Sequence, residues 1–196
     1  MTKTVEFFYD FGSPTVYLAA TQLPAVADQA GAIIDWRPML LGGVFKSTGN
    51  QSPGVVPAKA AYMNVDLERF AERYGVPFRF NPYFPINTLA LMRGAVAYQD
   101  DPAVSSTYRD AIFTAIWVEA QNLNEPDVVE QVLSDARLDP AELVSRIGQQ
   151  AVKDRLIANT EEAVNRGAFG APTFFVGEQM FFGQDRLDFV AEALSG

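Results

Sequence analysis

The run Lys3-Thr4-Val5-Glu6-Phe7-Phe8-Tyr9-Asp10-Phe11-Gly12-Ser13-Pro14-Thr15-Val16-Tyr17 decides the fold. Residues 3–11 are rich in β-branched and aromatic side chains, the composition of a strand. Ser13-Pro14 then opens a helix, with serine as N-cap and proline at the first helical position, where an N–H would be unpaired anyway. Val16, Leu18, Ala19, Leu23, Val26 and Ala27 supply an apolar stripe that stops near Gly31. A second strand, Ala32 to Met39 with Pro38 inside it, completes a β-α-β unit.

Beyond that unit the chain changes character twice. Residues 41–57 are rich in Gly, Pro, Ser and Asn and predict a loop. Helical patterns follow at 58–74, 87–99, 103–122, 126–136, 140–148 and 150–167, separated by Gly75-Val76-Pro77, Asp101-Pro102, Glu125-Pro126 and Asp139-Pro140. From Ala171 to Val176 a strand is expected, Gly177-Glu178 turns the chain, and Gln179 to Phe182 returns as its partner. Gly183-Gln184-Asp185 leads into a final amphipathic helix carrying Leu187, Val190, Ala191 and Leu194. The order β-α-β, helices, β-β-α is a thioredoxin topology split by a helical domain. The expected fold is therefore α/β, thioredoxin-like, with a large α-helical insertion domain. Residues 1–45 and 168–196 are expected to form the thioredoxin-like part, and 46–167 the insertion.

Composition narrows the chemistry. With 15 Lys+Arg against 24 Asp+Glu in 196 residues the net charge is −9, and no basic cluster offers nucleic acid a footprint. No apolar run approaches the roughly 20 residues that span a bilayer. The start, Met1-Thr2-Lys3, is too short and too charged for a secretion signal, so a cytoplasmic location is expected. The chain has no cysteine and no histidine. It has no thiol for disulfide exchange and lacks the usual general base and metal ligands, so no metal is expected. Chemistry at neutral pH must come from carboxylates, Lys, Tyr, Ser, main-chain dipoles or a borrowed group.

Three local sequences sit where such a fold builds a site. A helix N-terminus stabilises an anion, and Ser13 occupies that position; its hydroxyl either caps the helix or donates to a thiolate carried in by a small molecule. Pro172 starts a strand, where proline cannot donate to the ladder; the Ala171-Pro172 bond is either that of an ordinary edge-strand proline in trans or a cis bond that turns the Ala171 N–H and C=O outward to pair with a peptide backbone. Asp185 either caps the last helix or holds an α-amino group beside the helix N–H groups.

These three runs, together with Leu41 to Asn50, Asn81 to Thr88 and Ala115-Ile116-Trp117-Val118, give the chain a resemblance to the 2-hydroxychromene-2-carboxylate isomerases, which belong with the kappa-class glutathione transferases and more distantly with the DsbA-type oxidoreductases. The resemblance covers essentially the whole chain. It implies a glutathione cofactor, with Ser13 orienting and activating the thiol and Asn50 contacting the tripeptide. It implies that Ala171, before Pro172, pairs with the cysteine backbone, and that Gln184 and Asp185 hold the γ-glutamyl end. Lys46 is the candidate for a small aromatic substrate's carboxylate; it also reads as a solvated loop lysine. Tyr62, Tyr83 and Phe84 are candidates for an apolar substrate wall, and equally for core. Kappa enzymes often carry a larger apolar residue at position 171, so only a main-chain role transfers there, and they tend to carry serine where this chain has Gln184. The implied reaction is conversion of 2-hydroxychromene-2-carboxylate to trans-o-hydroxybenzylidenepyruvate in aromatic-hydrocarbon catabolism, with a homodimer expected. The alternatives are a transferase or peroxidase acting on another electrophile, and a non-catalytic binding protein that kept the fold.

Overall fold

A computed structural model describes residues 2–196. Four strands, β1 (Thr4–Tyr9), β2 (Ile33–Pro38), β3 (Thr173–Val176) and β4 (Gln179–Phe182), form one sheet in the order β2-β1-β3-β4. β1 runs parallel to β2 and antiparallel to β3, with Phe7 opposite both Trp36 and Phe174. The first and last parts of the chain therefore share one sheet, and everything between β2 and β3 is inserted.

β1 is the central element, and its sequence shows why. Val5, Phe7, Phe8 and Tyr9 are all at most 1% exposed, so the strand lacks an in–out alternation because both faces are covered. Phe7 and Tyr9 share a face with Trp36 and Phe174, with ring centroids 4.9 to 5.7 Å apart. Phe113 and Arg109 of α5 (Pro102–Trp117) close over that face, with the guanidinium 3.7 Å from the Trp36 ring centroid. On the opposite face Glu6 and Phe8 meet Arg166, which caps α8 (Gln150–Asn165) and pairs with the Glu6 carboxylate at 2.7 Å.

α1 (Pro14–Ala30) follows β1, and α9 (Leu187–Ser195) packs beside it. The insertion holds α3 (Pro57–Tyr74), α4 (Leu89–Ala97), α5, α6 (Pro126–Asp135), α7 (Pro140–Ile147) and α8. Each expected helix of that region is present, with shifted ends. α5 stops at Trp117 instead of continuing to 122, because the Asn81 amide donates to the carbonyls of Ile116 and Gln121 at 3.0 and 2.8 Å and Ala120 turns to φ 55°.

One expectation fails. Residues 41–48 form a helix, α2 (Leu41–Thr48), and not a loop. Its Gly42-Gly43 start has poor helix propensity, but its N-terminus is satisfied from far along the chain. The Leu41 N–H donates to the Asp10 carboxylate at 2.8 Å, and the Leu40 N–H donates to the Thr160 hydroxyl at 2.9 Å. A Cβ on Gly43 would stand 3.1 Å from the Thr160 methyl, so α2 needs the small residue to seat against α8. The seam expected between residues 45 and 46 falls inside this helix.

Candidate functional site

At the end of β1 the chain passes through Asp10, Phe11 and Gly12 before Ser13 caps α1. Phe11 is clamped: its carbonyl accepts from the Trp117 indole at 2.8 Å, and its N–H donates to the Met92 sulfur at 3.4 Å. This fixes the backbone that presents Ser13. The Ser13 side chain accepts weakly from the Val16 N–H at 3.4 Å, lies 2.8 Å from the Thr15 hydroxyl, and is 7% exposed. The Ala171-Pro172 bond faces it across a gap and is cis, as is Phe84-Pro85. The Ala171 carbonyl accepts from the hydroxyls of Ser13 and Thr15 at 3.5 and 3.3 Å. The N–H groups of Ala171 and Thr15 have no partner among the described residues.

These groups open onto a cleft of about 460 Å³. α2 contributes Leu41, Gly42 and Phe45, the segment after it contributes Asn50 to Gly54, and α3 contributes Ala60, Met63, Asn64 and Leu67. Phe84, Pro85, Ile86 and Thr88 line it as well, as do Phe182 to Asp185. No Lys or Arg is among the described residues that line it; Asp10 and Asp185 are its charged groups.

Of the residues expected at the site, Ser13, Asn50, Phe84, Ala171, Pro172, Gln184 and Asp185 all line this one cleft, although they come from four separated segments. Asn50 spends its amide N–H on the Phe169 carbonyl at 2.8 Å and so ties the segment after α2 to the cis-proline loop. Gln184 is buried, and its carbonyl accepts from the Tyr74 hydroxyl at 3.0 Å. Pro172 in turn accepts from the Gly183 N–H at 3.0 Å, which locks the two ends of the site together. Gly183 has φ 105°, and a Cβ there would run into the Asp185 carboxylate; only glycine lets Asp185 fold back over that turn. Three expected residues lie outside the lining. Lys46 is exposed in the last turn of α2, Tyr62 is 61% exposed and donates to Asp66, and Tyr83 is 52% exposed.

The structure also brings in groups that carried no assignment. Asp10 is 1% exposed, and its carboxylate takes the N–H of Gly12 at 2.9 Å, the N–H of Leu41 at 2.8 Å and a hydrogen bond from Thr88. It thus joins the starts of α1, α2 and α4. Burial pushes its carboxyl above the ordinary value, and the three donors only partly offset that. Thr15 doubles the hydroxyl offered to the cleft. Asp10 had one signal, a lone acid between an apolar strand and a helix cap. Thr88 had none, because its partner is 78 residues away in the chain.

Chemically, the cleft presents two hydroxyls, unpaired main-chain N–H groups and the positive end of a 17-residue helix. That set suits an anion at one point and an extended peptide beside it.

Comparison with known proteins agrees. The DSBA-like thioredoxin domain family matches residues 4–195. A 2-hydroxychromene-2-carboxylate isomerase of Sphingobium xenophagum is 33% identical over 197 residues, 99% of each chain. Human glutathione S-transferase kappa 1 is 28% identical, covering 99% of this chain and 92% of that one. A solved 2-hydroxychromene-2-carboxylate isomerase superposes with a TM-score of 0.87 at 29% identity, covering 97% of this chain and 94% of the other. The chain belongs to the DSBA-like thioredoxin-domain family, and within it to the enzymes of the 2-hydroxychromene-2-carboxylate isomerase family.

Proposed function

We propose that this enzyme is a glutathione-dependent cis–trans isomerase that converts 2-hydroxychromene-2-carboxylate to trans-o-hydroxybenzylidenepyruvate. The observation that carries it is the meeting of Ser13, the α1 N-terminus and the Ala171 main chain in one cleft of a chain with neither cysteine nor histidine. Three features of the cleft support a tripeptide there: a volume of about 460 Å³, an unpaired N–H on Ala171, and Asp185 beside a helix start.

The chemistry that glutathione brings is a thiol able to add reversibly to a conjugated double bond. The chain's own residues do the rest. Ser13 donates a hydrogen bond that favours the ionised sulfur, and the α1 dipole adds to it. A free thiol is mostly protonated at neutral pH, and each unit by which its pKa falls is worth about 1.4 kcal/mol. Ala171 pairs with the peptide backbone, Asn50 borders it, and Gln184 and Asp185 take the γ-glutamyl end. Phe84 offers an apolar wall to the aromatic ring. Lys46 is assigned the substrate carboxylate, which requires its flexible stem to reach back from the exposed end of α2.

Turnover of the chromene carboxylate with and without glutathione is the test. Equal rates in both conditions would refute the cofactor assignment. The kappa-class relatives favour a second reading, transfer of glutathione to another electrophile, and turnover of only a chlorinated aromatic would select it. The cytoplasm, which keeps small thiols reduced, is the compartment proposed. A homodimer is proposed as well, to be checked by sedimentation.

A further inference from the structure

A second cavity lies apart from the cleft. It measures about 710 Å³, lies among α4, α6 and α7, and has no lining residue in common with the site above. Its size falls within the roughly 300–1,000 Å³ of small-molecule pockets. Leu89, Leu123, Val129, Leu133, Leu143 and Ile147 make its walls apolar.

One cation lines it. Arg93 projects from α4 on the same helical face as Leu89 and Ala90. It forms no ion pair among the described residues, and its Nε is buried without a hydrogen-bond partner. Most other arginines of the chain are paired or stacked, as Arg37, Arg146, Arg155 and Arg166 are. Arg93 is half-buried, and its buried Nε–H is left without an acceptor, which an incoming anion would supply. The lining acid, Glu130, is exposed on α6 and more than 4.0 Å from Arg93, so water screens it.

We propose that this cavity binds an organic monoanion with an apolar body, its carboxylate on the Arg93 guanidinium and its hydrocarbon along the leucine walls. The ligand is defined by both halves: a neutral hydrocarbon leaves Arg93 unpaired, and a small inorganic anion leaves the walls wet. Because the whole chain carries a charge of −9, attraction is local to Arg93 and not a property of the surface.

Decanoate is the probe and decanol its uncharged control, each titrated calorimetrically into the full chain. Decanoate should bind saturably at one site, with decanol at least about tenfold weaker, since a charge-assisted hydrogen bond is lost. Arg93→Gln should weaken decanoate by a similar factor and leave decanol unchanged. Val144→Trp, at a lining position that is 69% exposed, should block the cavity without disturbing the core, and it decides the matter alone if Arg93→Gln fails to fold. Three results would overturn the proposal: no saturable binding of decanoate up to millimolar concentration, binding unaffected by either substitution, or binding abolished by saturating glutathione, which would put the probe in the cleft.

Discussion

Ser13 carries two jobs that a single alanine substitution confounds. Its hydroxyl caps α1 through the Val16 N–H, and the same oxygen is the proposed donor to the sulfur anion. Ser13→Ala loses both, with about 1 kcal/mol of cap stability. Ser13→Gly separates them, because glycine is a tolerable N-cap that costs only a few tenths of a kcal/mol. The glycine variant should therefore melt close to wild type while its turnover falls on the order of 100-fold, the scale of losing one positioned donor. Its activity should also rise at higher pH than in wild type, since the bound thiol loses a group that favours ionisation. A glycine variant with wild-type turnover and an unmoved pH profile would leave Ser13 as a cap and nothing more. Asp10 makes an independent prediction. Burial raises its pKa above the ordinary 3.8, so the folded chain holds this proton more tightly than the unfolded chain does. The group's contribution to stability is then greatest below pH 3.8 and falls as pH rises through the folded-state value. Asp10→Asn, which resembles the protonated acid, should gain on wild type in urea midpoint across that window. A constant gap between the two curves would mean that burial does not dominate at Asp10.

At the scale of elements, what the sequence showed and what it hid follow one physical division. Strands and helices whose signals are local were readable: the Ser13-Pro14 cap, the Pro102, Pro126 and Pro140 helix starts, and the Gly177-Glu178 hairpin all sit within a few residues of the structure they cause. α2 was not readable, since Gly42-Gly43 argues against a helix and its capping groups are Asp10 and Thr160, 31 and 120 residues away. That misassignment also moved Lys46, which belongs to a helix end and not to a loop over the site. The crossing of α4 and α5 is another element set by distant chemistry. A Cβ on Gly94 would collide with the Tyr108 hydroxyl and stand 2.9 Å from a Leu143 methyl, while that hydroxyl is committed to the Leu91 carbonyl at 2.9 Å. Gly94→Ala gains helix propensity and should still destabilise, by about 1–3 kcal/mol of overpacking. In thermal unfolding that corresponds to a fall of roughly 2–4 °C per kcal/mol for a chain of this size. A raised melting temperature would show that α4 and α5 can separate cheaply.

For the whole molecule, the cleft is a joint and not a surface feature. Its walls come from residues 10–15, 41–67, 80–88 and 170–185, so both ends of the chain and two parts of the insertion meet in it. The site residues could be named one by one from short motifs, but their convergence depends on β1 pairing with both β2 and β3, which no local pattern states. A ligand seated across such a joint binds the assembled chain and not its separated segments. Glutathione at about 100 times its dissociation constant should then raise the unfolding free energy by about 2.7 kcal/mol, with one cooperative transition retained. S-methylglutathione, which keeps the peptide contacts and lacks the thiol, should stabilise nearly as well without supporting turnover. Hydrogen exchange should slow at Leu41, Ala171 and Asp185 together, although they lie far apart in sequence. If protection appeared at only one of these segments, the tripeptide would be resting on a single wall. The proposed division of labour between Ala171 and Asp185 would then be wrong.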